Sequence, residues 1–394
     1  MRVLHVITNL ELAGAQSSVV AICGGLRAAG VDVHLAFSSR GGRTPGSEQF
    51  LLHAAQRSGV QVHDIEELRR GIDPRHDTRA LAALVRLMRH VRPDIVHTHA
   101  SKAGVLGRLA GKLTRVTKIV HTVRGWSFYA ARSRLAHSLA VACERMAAEG
   151  TDAMIAVSHS LAEAGRLRRI GNPERYRVIR SGIQLARFSG APDRQAAREA
   201  LGLSTAGRVV GSVMAFTAAK APLDLVEVIR RVIARRSDVV FVVVGYGPLA
   251  GPLEEAARRA GVSAHLKLVG LRENVAELYP AFDVLLSTSR WEGLPRVAVE
   301  AIAAGVPVVA TDVGGCSEVV LHGRTGYLAA PRDFDGLALH ILAAIDDESL
   351  RARVAATAPS VLVGHDLGEV IAQHLVLYDE LTSPHGEAAR WRTS

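Results

Sequence analysis

The chain is poor in cysteine, lysine and aromatic residues, and each shortage narrows what it can be. Its three cysteines, Cys23, Cys143 and Cys316, are isolated and odd in number, so neither a disulfide framework nor a cysteine metal site is expected. We interpret them as buried thiols in a reducing cytoplasm. Aromatic residues make up 4% of the chain, which is poor for single-strand stacking surfaces. With no nucleic-acid module recognisable, we expect no nucleic-acid partner.

Long hydrophobic runs are also missing. No apolar stretch reaches the ~20 residues that a membrane-spanning helix needs, and Asn9 and Glu11 interrupt the N-terminus too early for a signal peptide. We therefore expect a cytoplasmic protein whose membrane role, if any, is peripheral at the inner face of the plasma membrane. The net charge of +10, carried almost entirely by arginine, favours anionic partners such as phosphorylated ligands or an acidic membrane surface.

Short β-branched apolar runs alternate with helical patterns along the chain. This alternation is typical of parallel sheets covered by helices on both faces. It occurs twice, so the sequence predicts an α/β protein with two doubly wound, Rossmann-like domains. The predicted strands lie near residues 3–7, 33–37, 95–97, 118–121, 154–157, 177–179, 209–213, 239–244, 266–269, 284–287, 306–310 and 326–328. The predicted helices lie near 15–29, 48–58, 78–90, 103–113, 134–148, 221–234, 252–260, 275–279, 297–304 and 334–345.

The predicted domain boundary follows residue 182, because the stretch 184–205 breaks the alternation. The 394 residues suit two domains of about 180 residues each. We therefore divide the chain into residues 1–182, residues 183–363, and a final helix with a polar tail over 364–394.

The most informative segment spans residues 289–301 and joins a predicted strand to a predicted helix. Glu292 and Glu300 lie eight positions apart in it, and the turn Gly293-Leu294-Pro295 follows the first glutamate. A helix N-terminus presents free N–H groups and the positive end of its dipole, which suits a phosphate. Pro295 fits the first helical position. Carboxylates beside a diphosphate site can bind polyols, so the segment indicates a nucleotide-sugar ligand.

This segment resembles the Glu-x7-Glu signature of the family-4 glycosyltransferases, which are retaining enzymes of the GT-B fold. Residues 301–315 match the rest of that signature, and the resemblance covers nearly the whole chain. It implies two domains facing across a cleft, with the acceptor bound by the first and the donor by the second. It also implies that the last helix crosses back to the first domain.

The resemblance further implies roles for single residues. Glu300 would hold the ribose, and Glu292 would hold the donor sugar with the backbone of Gly293, Leu294 and Pro295. Lys220 and the backbone near Val297 would hold the diphosphate. The glycine loops containing Gly14 and Gly245 would border the donor.

The sequence departs from the family pattern at two positions. Ala215 stands where relatives have an arginine five residues before the lysine, and Arg296 or Arg272 would have to substitute for it. Arg124 stands where relatives have a histidine close to the reacting sugar. Arginine does not titrate near neutral pH and cannot act as a catalytic base, but it can bind an anion. Arg124 and Trp126 are therefore candidates for contacting the acceptor substrate.

Two patterns invite a metal-site interpretation. His97 and His99 share one face of a strand, but a third ligand is not evident in the sequence. We prefer His99 as a catalytic residue in the cleft, with a hydrogen-bonded structural histidine as the alternative. Asp333 and Asp335 form an Asp-x-Asp motif at a helix start, where we expect Asp to cap the helix. We therefore predict no metal and no cofactor beyond the sugar nucleotide.

A basic region in the first domain is interleaved with aromatic residues. This composition suits docking on an anionic leaflet, and an ordinary solvated basic face is the alternative. The region comprises Arg108, Lys112, Arg115, Lys118, Arg124, Arg132 and Arg134, with Trp126, Phe128 and Tyr129.

We expect a metal-independent, retaining hexosyltransferase that acts on a sugar or lipid-linked acceptor. Synthesis of a bacterial envelope or extracellular polysaccharide, such as lipopolysaccharide, or of a glycolipid, fits this reading. Two alternatives stay open: a nucleotide-sugar 2-epimerase, and a non-catalytic binding protein, which Ala215 and Arg124 favour.

Overall fold

The computed structural model describes residues 1–40, 47–131, 133–189, 193–203 and 207–383. The chain divides into two compact units, the first holding Met1–Gly182 with the C-terminal helix and the second holding Ile183–Asp366. Arg132 of the predicted basic region lies outside the described residues, as do residues 190–192 and 204–206 of the predicted linker and residues 384–394 of the tail.

The first unit is built on a parallel sheet of seven strands among the described residues, in the order β3-β2-β1-β4-β5-β6-β7. The strand β3 is missing from the sequence prediction because it is short and partly exposed, so its residues do not form an apolar run. The strands are β1 (Arg2–Val6), β2 (Asp32–Phe37), β3 (Gln61–Asp64), β4 (Ile95–His99), β5 (Lys118–Val123), β6 (Ala153–Ala156) and β7 (Tyr176–Val178).

Helices cover this sheet. They are α1 (Gly14–Ala28), α2 (Ser47–Arg57), α3 (Pro74–Val91), α4 (Ser101–Thr114), α5 (Arg134–Ala148), α6 (His159–Leu167) and, from the chain's end, α14 (Leu367–Thr382). Leu377, Tyr378 and Leu381 of α14 are buried in one core cluster with Val33 and Leu35 of β2. The last helix is therefore a structural part of the first unit.

The second unit repeats the plan with a parallel sheet of six described strands, in the order β10-β9-β8-β11-β12-β13. The sequence prediction missed the helices at residues 186–189, 194–200 and 350–361, and the helix predicted over 275–279 is a pair of 3₁₀ turns. The strands are β8 (Arg208–Val213), β9 (Val239–Val244), β10 (Leu266–Gly270), β11 (Val284–Ser287), β12 (Val308–Thr311) and β13 (Gly326–Ala329). The helices are α7 (Ala186–Ser189), α8 (Arg194–Ala200), α9 (Pro222–Ile233), α10 (Ala250–Arg259), α11 (Arg296–Ala303), α12 (Phe334–Asp346) and α13 (Leu350–Val361).

Each sheet has one place where the strand order reverses. It lies between β1 and β4 in the first unit and between β8 and β11 in the second. Chains leaving two such neighbouring strands run to opposite sides of the sheet, which opens a crevice beyond their carboxyl ends. These two crevices are where ligands of doubly wound folds bind.

Candidate active site

The crevice of the second unit contains an ion pair between residues that are far apart in sequence. Lys220 follows β8 and Glu292 follows β11, and the Lys220 ammonium donates to Glu292 Oε1 over 2.5 Å. Ser289 Oγ donates to the same oxygen at 2.6 Å. Glu292 is 7% exposed, whereas the Lys220 side chain keeps 31% of its surface in solvent. A cation and a carboxylate are therefore held together where a ligand can reach the cation.

The two loops that carry this pair are tied to each other. Thr288 Oγ1 donates to the carbonyl oxygens of Lys220 and Ala221, each at 3.2 Å, and the Arg290 amide donates to the Ala219 carbonyl at 2.8 Å. Ala221 has φ 48°, a left-handed conformation that is strained for alanine. Strain of this kind persists where the surrounding structure imposes it, often at functional sites.

The start of α11 forms another wall of this crevice. Pro295 is its N-cap, whereas the sequence predicted Pro295 at the first helical position, and Arg296 is the first helical residue. In the first turn the amides of Ala298 and Val299 donate to the Pro295 carbonyl, whereas the amide of Val297 has no acceptor earlier in its own helix. This end of the helix carries the positive end of the helix dipole. Gly293 and Leu294, in the turn before the helix, are buried. The backbone and the Lys220 side chain thus offer positive charge for an anion.

Glu300 lies one turn into α11 and is held on both carboxylate oxygens. Arg296 Nε donates to Oε1 at 2.9 Å, and the Tyr279 hydroxyl donates to Oε2 at 2.8 Å. Burial, with the neighbouring Glu300, raises the pKa of Tyr279 well above its usual value, so the phenol stays a neutral donor. Of the two proposed substitutes for the missing arginine, Arg296 belongs to this network and Arg272 is exposed.

Two glycines let the loops of the crevice approach closely. Gly245, at the end of β9, has φ 145°, and a Cβ there would lie 1.8 Å from the Met214 carbonyl oxygen. Gly314 has φ 55°, and its Cβ would lie 2.0 Å from the Glu292 carbonyl oxygen. A larger residue at Gly245 would push the loop after β9 away from the loop after β8. A larger residue at Gly314 would push the loop after β12 away from the loop after β11.

The crevice of the first unit is lined differently. Gly14 is the first residue of α1, whereas the sequence predicted it in the loop before that helix. A third histidine, His5, joins His97 and His99, and ligand atoms of the three lie within 4.8 Å of one another. The sequence prediction that no third histidine was near is therefore wrong, because His5 lies in β1 and becomes a neighbour only through the pairing of β1 with β4.

These histidines hydrogen-bond mainly to one another and to hydroxyl groups. His5 Nδ1 and His99 Nε2 share a hydrogen bond of 2.9 Å. His97 bonds through Nδ1 to the Tyr378 hydroxyl at 2.5 Å and through Nε2 to Thr122 Oγ1 at 2.7 Å. The trio is thus organised as a hydrogen-bonded cluster that joins β1, β4, β5 and α14.

Burial keeps this histidine cluster neutral. It lowers the pKa of His5 to about 3. The ring of His374, on α14, stacks on His97 with 5.7 Å between ring centroids, and burial lowers the pKa of His374 to about 4. The pKa values of His97 and His99 are lowered well below the usual range by the same burial, and neighbouring charge, including Arg124 for His99, lowers them further. His99 has no exposed surface, which favours the structural alternative over a residue that touches sugar. The nearby Arg124 cation also disfavours a bound metal ion.

Several residues of the predicted acceptor side and basic region need correction. Trp126 is 3% exposed, and its indole N–H donates to the Leu161 carbonyl, so it serves the core and offers no surface to an acceptor. Phe128 is buried as well. Arg108 is fully buried and pairs with Glu144 at 2.9 Å. Arg124 is partly buried and donates to Ser181 Oγ at 3.3 Å.

The cysteines and the Asp-x-Asp motif have separate outcomes. Cys23 and Cys316 are buried, but Cys143 is exposed, contrary to expectation, because it lies on the outer face of α5. Asp333 caps α12 by accepting from the Gly336 amide at 2.8 Å, which confirms the predicted cap. Asp335 pairs instead with Arg231.

Comparisons with known proteins agree with this architecture. The GT-B fold is shared with Anabaena HepE, solved with UDP and glucose, at a TM-score of 0.80 and 22% identity over 96% of this chain and 99% of that one. Sucrose-phosphate synthase from Thermosynechococcus elongatus has the same TM-score of 0.80, with 20% identity over 97% of this chain and 99% of that one. The fold and the crevice therefore define an α/β protein of the GT-B class.

Sequence comparison gives the family. The family model of "Glycosyltransferase Family 4" matches residues 12–187. The family model of "Glycosyl transferases group 1" matches residues 193–361. An Escherichia coli UDP-Gal:alpha-D-GlcNAc-diphosphoundecaprenol alpha-1,3-galactosyltransferase is 30% identical over 295 residues, 74% of this chain and 76% of that one. A D-inositol 3-phosphate glycosyltransferase of Mycolicibacterium vanbaalenii is 31% identical over 71% of this chain and 68% of that one. The chain belongs to the family-4 glycosyltransferases, and none of these findings favours the epimerase alternative.

Sequence reasoning missed two partners in the crevice. Ser289, which bonds to Glu292, lies inside the segment 289–301 but has no sequence signature of its own. Tyr279, which bonds to Glu300, was assigned to an ordinary helix end. A hydroxyl donor is recognisable only once the acceptor beside it is known.

Proposed function

We propose that this chain transfers a sugar from a nucleoside diphosphate sugar to a hydroxyl acceptor with retention of configuration. The acceptor is a sugar or a lipid-linked saccharide of a bacterial envelope or extracellular polysaccharide or glycolipid. The Escherichia coli relative uses a UDP-galactose donor and an alpha-D-GlcNAc-diphosphoundecaprenol acceptor, as its name states. This supports both halves of the proposal and makes a uridine donor the first to test.

In this proposal the crevice of the second unit binds the donor. Lys220 and the first amides of α11 neutralise the diphosphate, whose negative charge grows as the bond to the sugar breaks. Glu300, oriented by Tyr279 and Arg296, accepts from the ribose hydroxyls. Glu292 turns from Lys220 to the hydroxyls of the sugar.

In a single displacement, retention needs the acceptor to attack from the side that the phosphate leaves. The acceptor oxygen forms its bond to the anomeric carbon while the bond from that carbon to the phosphate oxygen breaks. The acceptor proton passes to the leaving phosphate. A neutral, fully buried His99 and an arginine at position 124 supply no protein base, which supports a proton route through the phosphate.

The observation that carries the proposal is the pair of Lys220 and Glu292 at the reversal point between β8 and β11. These residues come from loops 72 positions apart, and the fold places them beside the N-terminus of α11. A cation for phosphate, a carboxylate for hydroxyl groups and a helix N-terminus together match a sugar diphosphate.

Thermal shift against UDP-, GDP-, ADP- and dTDP-sugars, with the free diphosphates, tests the donor site. We expect a saturable rise in melting temperature with one base and its loss in Glu300→Ala, whose fold stays intact by circular dichroism. Glu254→Ala, an exposed glutamate on α10, is the matched control and should bind normally. Unchanged affinity in Glu300→Ala would remove this site assignment, and no shift with any nucleotide would favour the non-catalytic alternative.

Metal independence is part of the proposal, because Lys220 and the α11 amides supply the positive charge that a divalent ion supplies elsewhere. We expect transfer activity to be unchanged in excess EDTA. A loss that Mg²⁺ or Mn²⁺ restores would contradict this expectation.

A further inference from the structure

The helix α5 of the first unit exposes an apolar stripe that the proposed reaction does not use. Leu135, Leu139 and Met146 are 70%, 57% and 66% exposed. With Ala142 they follow the spacing i, i+4, i+7 and i+11, which places them on one face of the helix over about three turns. Large apolar side chains grouped in this way mark an interaction surface.

The orientation of α5 is fixed by its opposite face. Val141, Glu144 and Ala148 are buried there, and Glu144 pairs with the fully buried Arg108 of α4 at 2.9 Å. Removing one partner from such a pair leaves an uncompensated buried charge, which is costly. Rotation that would bury the apolar stripe is therefore opposed, and the stripe faces solvent.

The neighbouring helix α4 adds to this surface. Leu109 and Leu113 are 41% and 56% exposed. Lys112, between them in sequence, reaches across to the Met146 carbonyl of α5 at 3.4 Å. We define the docking face as a set of exposed apolar and basic residues on α4, its C-cap and α5: Leu109, Lys112, Leu113, Arg115, Leu135, Leu139, Met146, Arg134 and Arg145.

The charge around the docking face is strongly positive. Residues 101–150 contain nine basic and two acidic residues, and one of the acids, Glu144, is already paired with Arg108. Lys112, Arg115, Arg134 and Arg145 are exposed beside the apolar side chains. No helix in the described part of the chain has the length and apolar character required to cross a bilayer.

We propose that the docking face binds the surface of an anionic phospholipid leaflet. Its leucine and methionine side chains enter the boundary between headgroups and acyl chains, and its four cations contact lipid phosphates, as for amphipathic helices that lie in a membrane interface. The surface differs from the basic and aromatic region predicted from sequence, because Arg108, Trp126 and Phe128 are buried.

Charge decides between a leaflet and a second copy of the chain. Two copies joined through this face would bring two basic surfaces together, which repel. An anionic leaflet supplies the opposite charge and an apolar interior in the same place. The proposal concerns the first unit alone and does not depend on which donor the second unit binds.

The exposed Cys143 gives a direct measurement, since it lies four residues after Leu139 on α5. Cys23 and Cys316 are buried, and burial raises the pKa of the Cys316 thiol to about 12, so a thiol-reactive dye labels Cys143 selectively in the folded full chain. We expect a polarity-sensitive dye there to shift to the blue with phosphatidylglycerol vesicles. Little change should occur with phosphatidylcholine vesicles.

Flotation with the same vesicles tests the apolar contribution. The variant Leu135→Ser/Leu139→Ser/Met146→Ser should lose binding at least tenfold. The matched control Leu339→Ser/Val363→Ser/Val376→Ser removes side chains that are 54%, 69% and 58% exposed elsewhere and should bind as the parent does. Equal binding by both variants would overturn the proposal.

The cations are tested with Lys112→Gln/Arg115→Gln/Arg134→Gln/Arg145→Gln. We expect vesicle binding to fall by about fivefold for each cation removed. Raised salt should also weaken vesicle binding by the parent protein. Parent binding that ignores both lipid charge and salt would overturn the proposal. Light scattering would also overturn the proposal if the parent were a dimer that did not bind vesicles and the serine variant were a monomer. The docking face would then join two copies of the chain. Donor-induced thermal shift in each variant keeps this result separate from the donor site.

Discussion

At the scale of single residues, the ion pair of Lys220 and Glu292 makes a sharp prediction. Lys220→Met should keep the length of the side chain and remove its charge, so that the leaving diphosphate loses a preorganised cation. We expect kcat to fall by roughly 10²- to 10³-fold, as for the loss of one group that stabilises developing charge.

The matched control is Lys267→Met in the same unit, where the ammonium bonds to the Gly202 carbonyl on another part of the surface. Steady-state kinetics with the preferred donor should leave this variant near the parent. A Lys220→Met enzyme with normal kcat would show that the ammonium only neutralises Glu292.

Residue types in a spaced pattern were readable from the sequence, whereas their partners were not. Sequence spacing alone identified the pattern that contains Glu292 and Glu300. It also identified Lys220, the lysine that precedes a helix after β8. Ser289 and Tyr279 were not, because a hydroxyl donor has no sequence signature. The hydrogen bond of His99 was not foreseen for a related reason: its partner His5 lies in β1, 94 residues away.

At the scale of elements, the histidine cluster ties α14 to the strands of the first unit and makes stability depend on pH. His374 on α14 is buried, and burial lowers its pKa to about 4. Below pH 6.5 the unfolded chain takes up a proton that the folded histidine does not. Stability is therefore complete above about pH 6.5 and falls as the pH drops towards 4.

We expect His374→Leu to reduce this dependence by up to about 1.4 kcal/mol per pH unit between pH 6.5 and 5. Urea unfolding of the first unit at several pH values measures it. His159→Leu, at an exposed position, is the control and should keep the parent slope. A parent slope retained in His374→Leu would show that this ring does not contribute.

Elements with a full apolar face were predicted within a few residues, and short or irregular ones were not. The strands β9, β11 and β12 of the second unit bury apolar runs, and each was recognised from the sequence. The strand β3 and the turns over 275–281 lack such runs. Tertiary contacts rather than a local sequence pattern stabilise them, so they were not recognised. The exposed apolar stripe of α5 was not predicted, because an apolar helix face normally indicates a buried face. The local sequence does not distinguish an apolar face that is buried from one that is exposed to solvent.

At the scale of the whole molecule, the order of the chain and the order of the structure differ at the C-terminus. The helix α14 follows the second unit in sequence, yet its buried side chains complete the core of the first. The sequence pattern predicted the helix itself, and the family resemblance predicted that it packs on the first domain. Local pattern alone cannot name the partner of a terminal helix, because its apolar face would suit either unit.

This arrangement predicts that a change in α14 affects the first unit and spares the donor crevice. Leu377→Ala, at a position 5% exposed, removes core packing and should lower the free energy of unfolding of the first unit by about 2 to 5 kcal/mol. Val376→Ala, 58% exposed on the same helix, should change it by less than about 0.5 kcal/mol. Donor affinity should be equal in both variants, since Lys220, Glu292 and Glu300 belong to the second unit. Equal destabilisation by the two alanines, or weaker donor binding in Leu377→Ala alone, would contradict the assignment of α14 to the first unit's core.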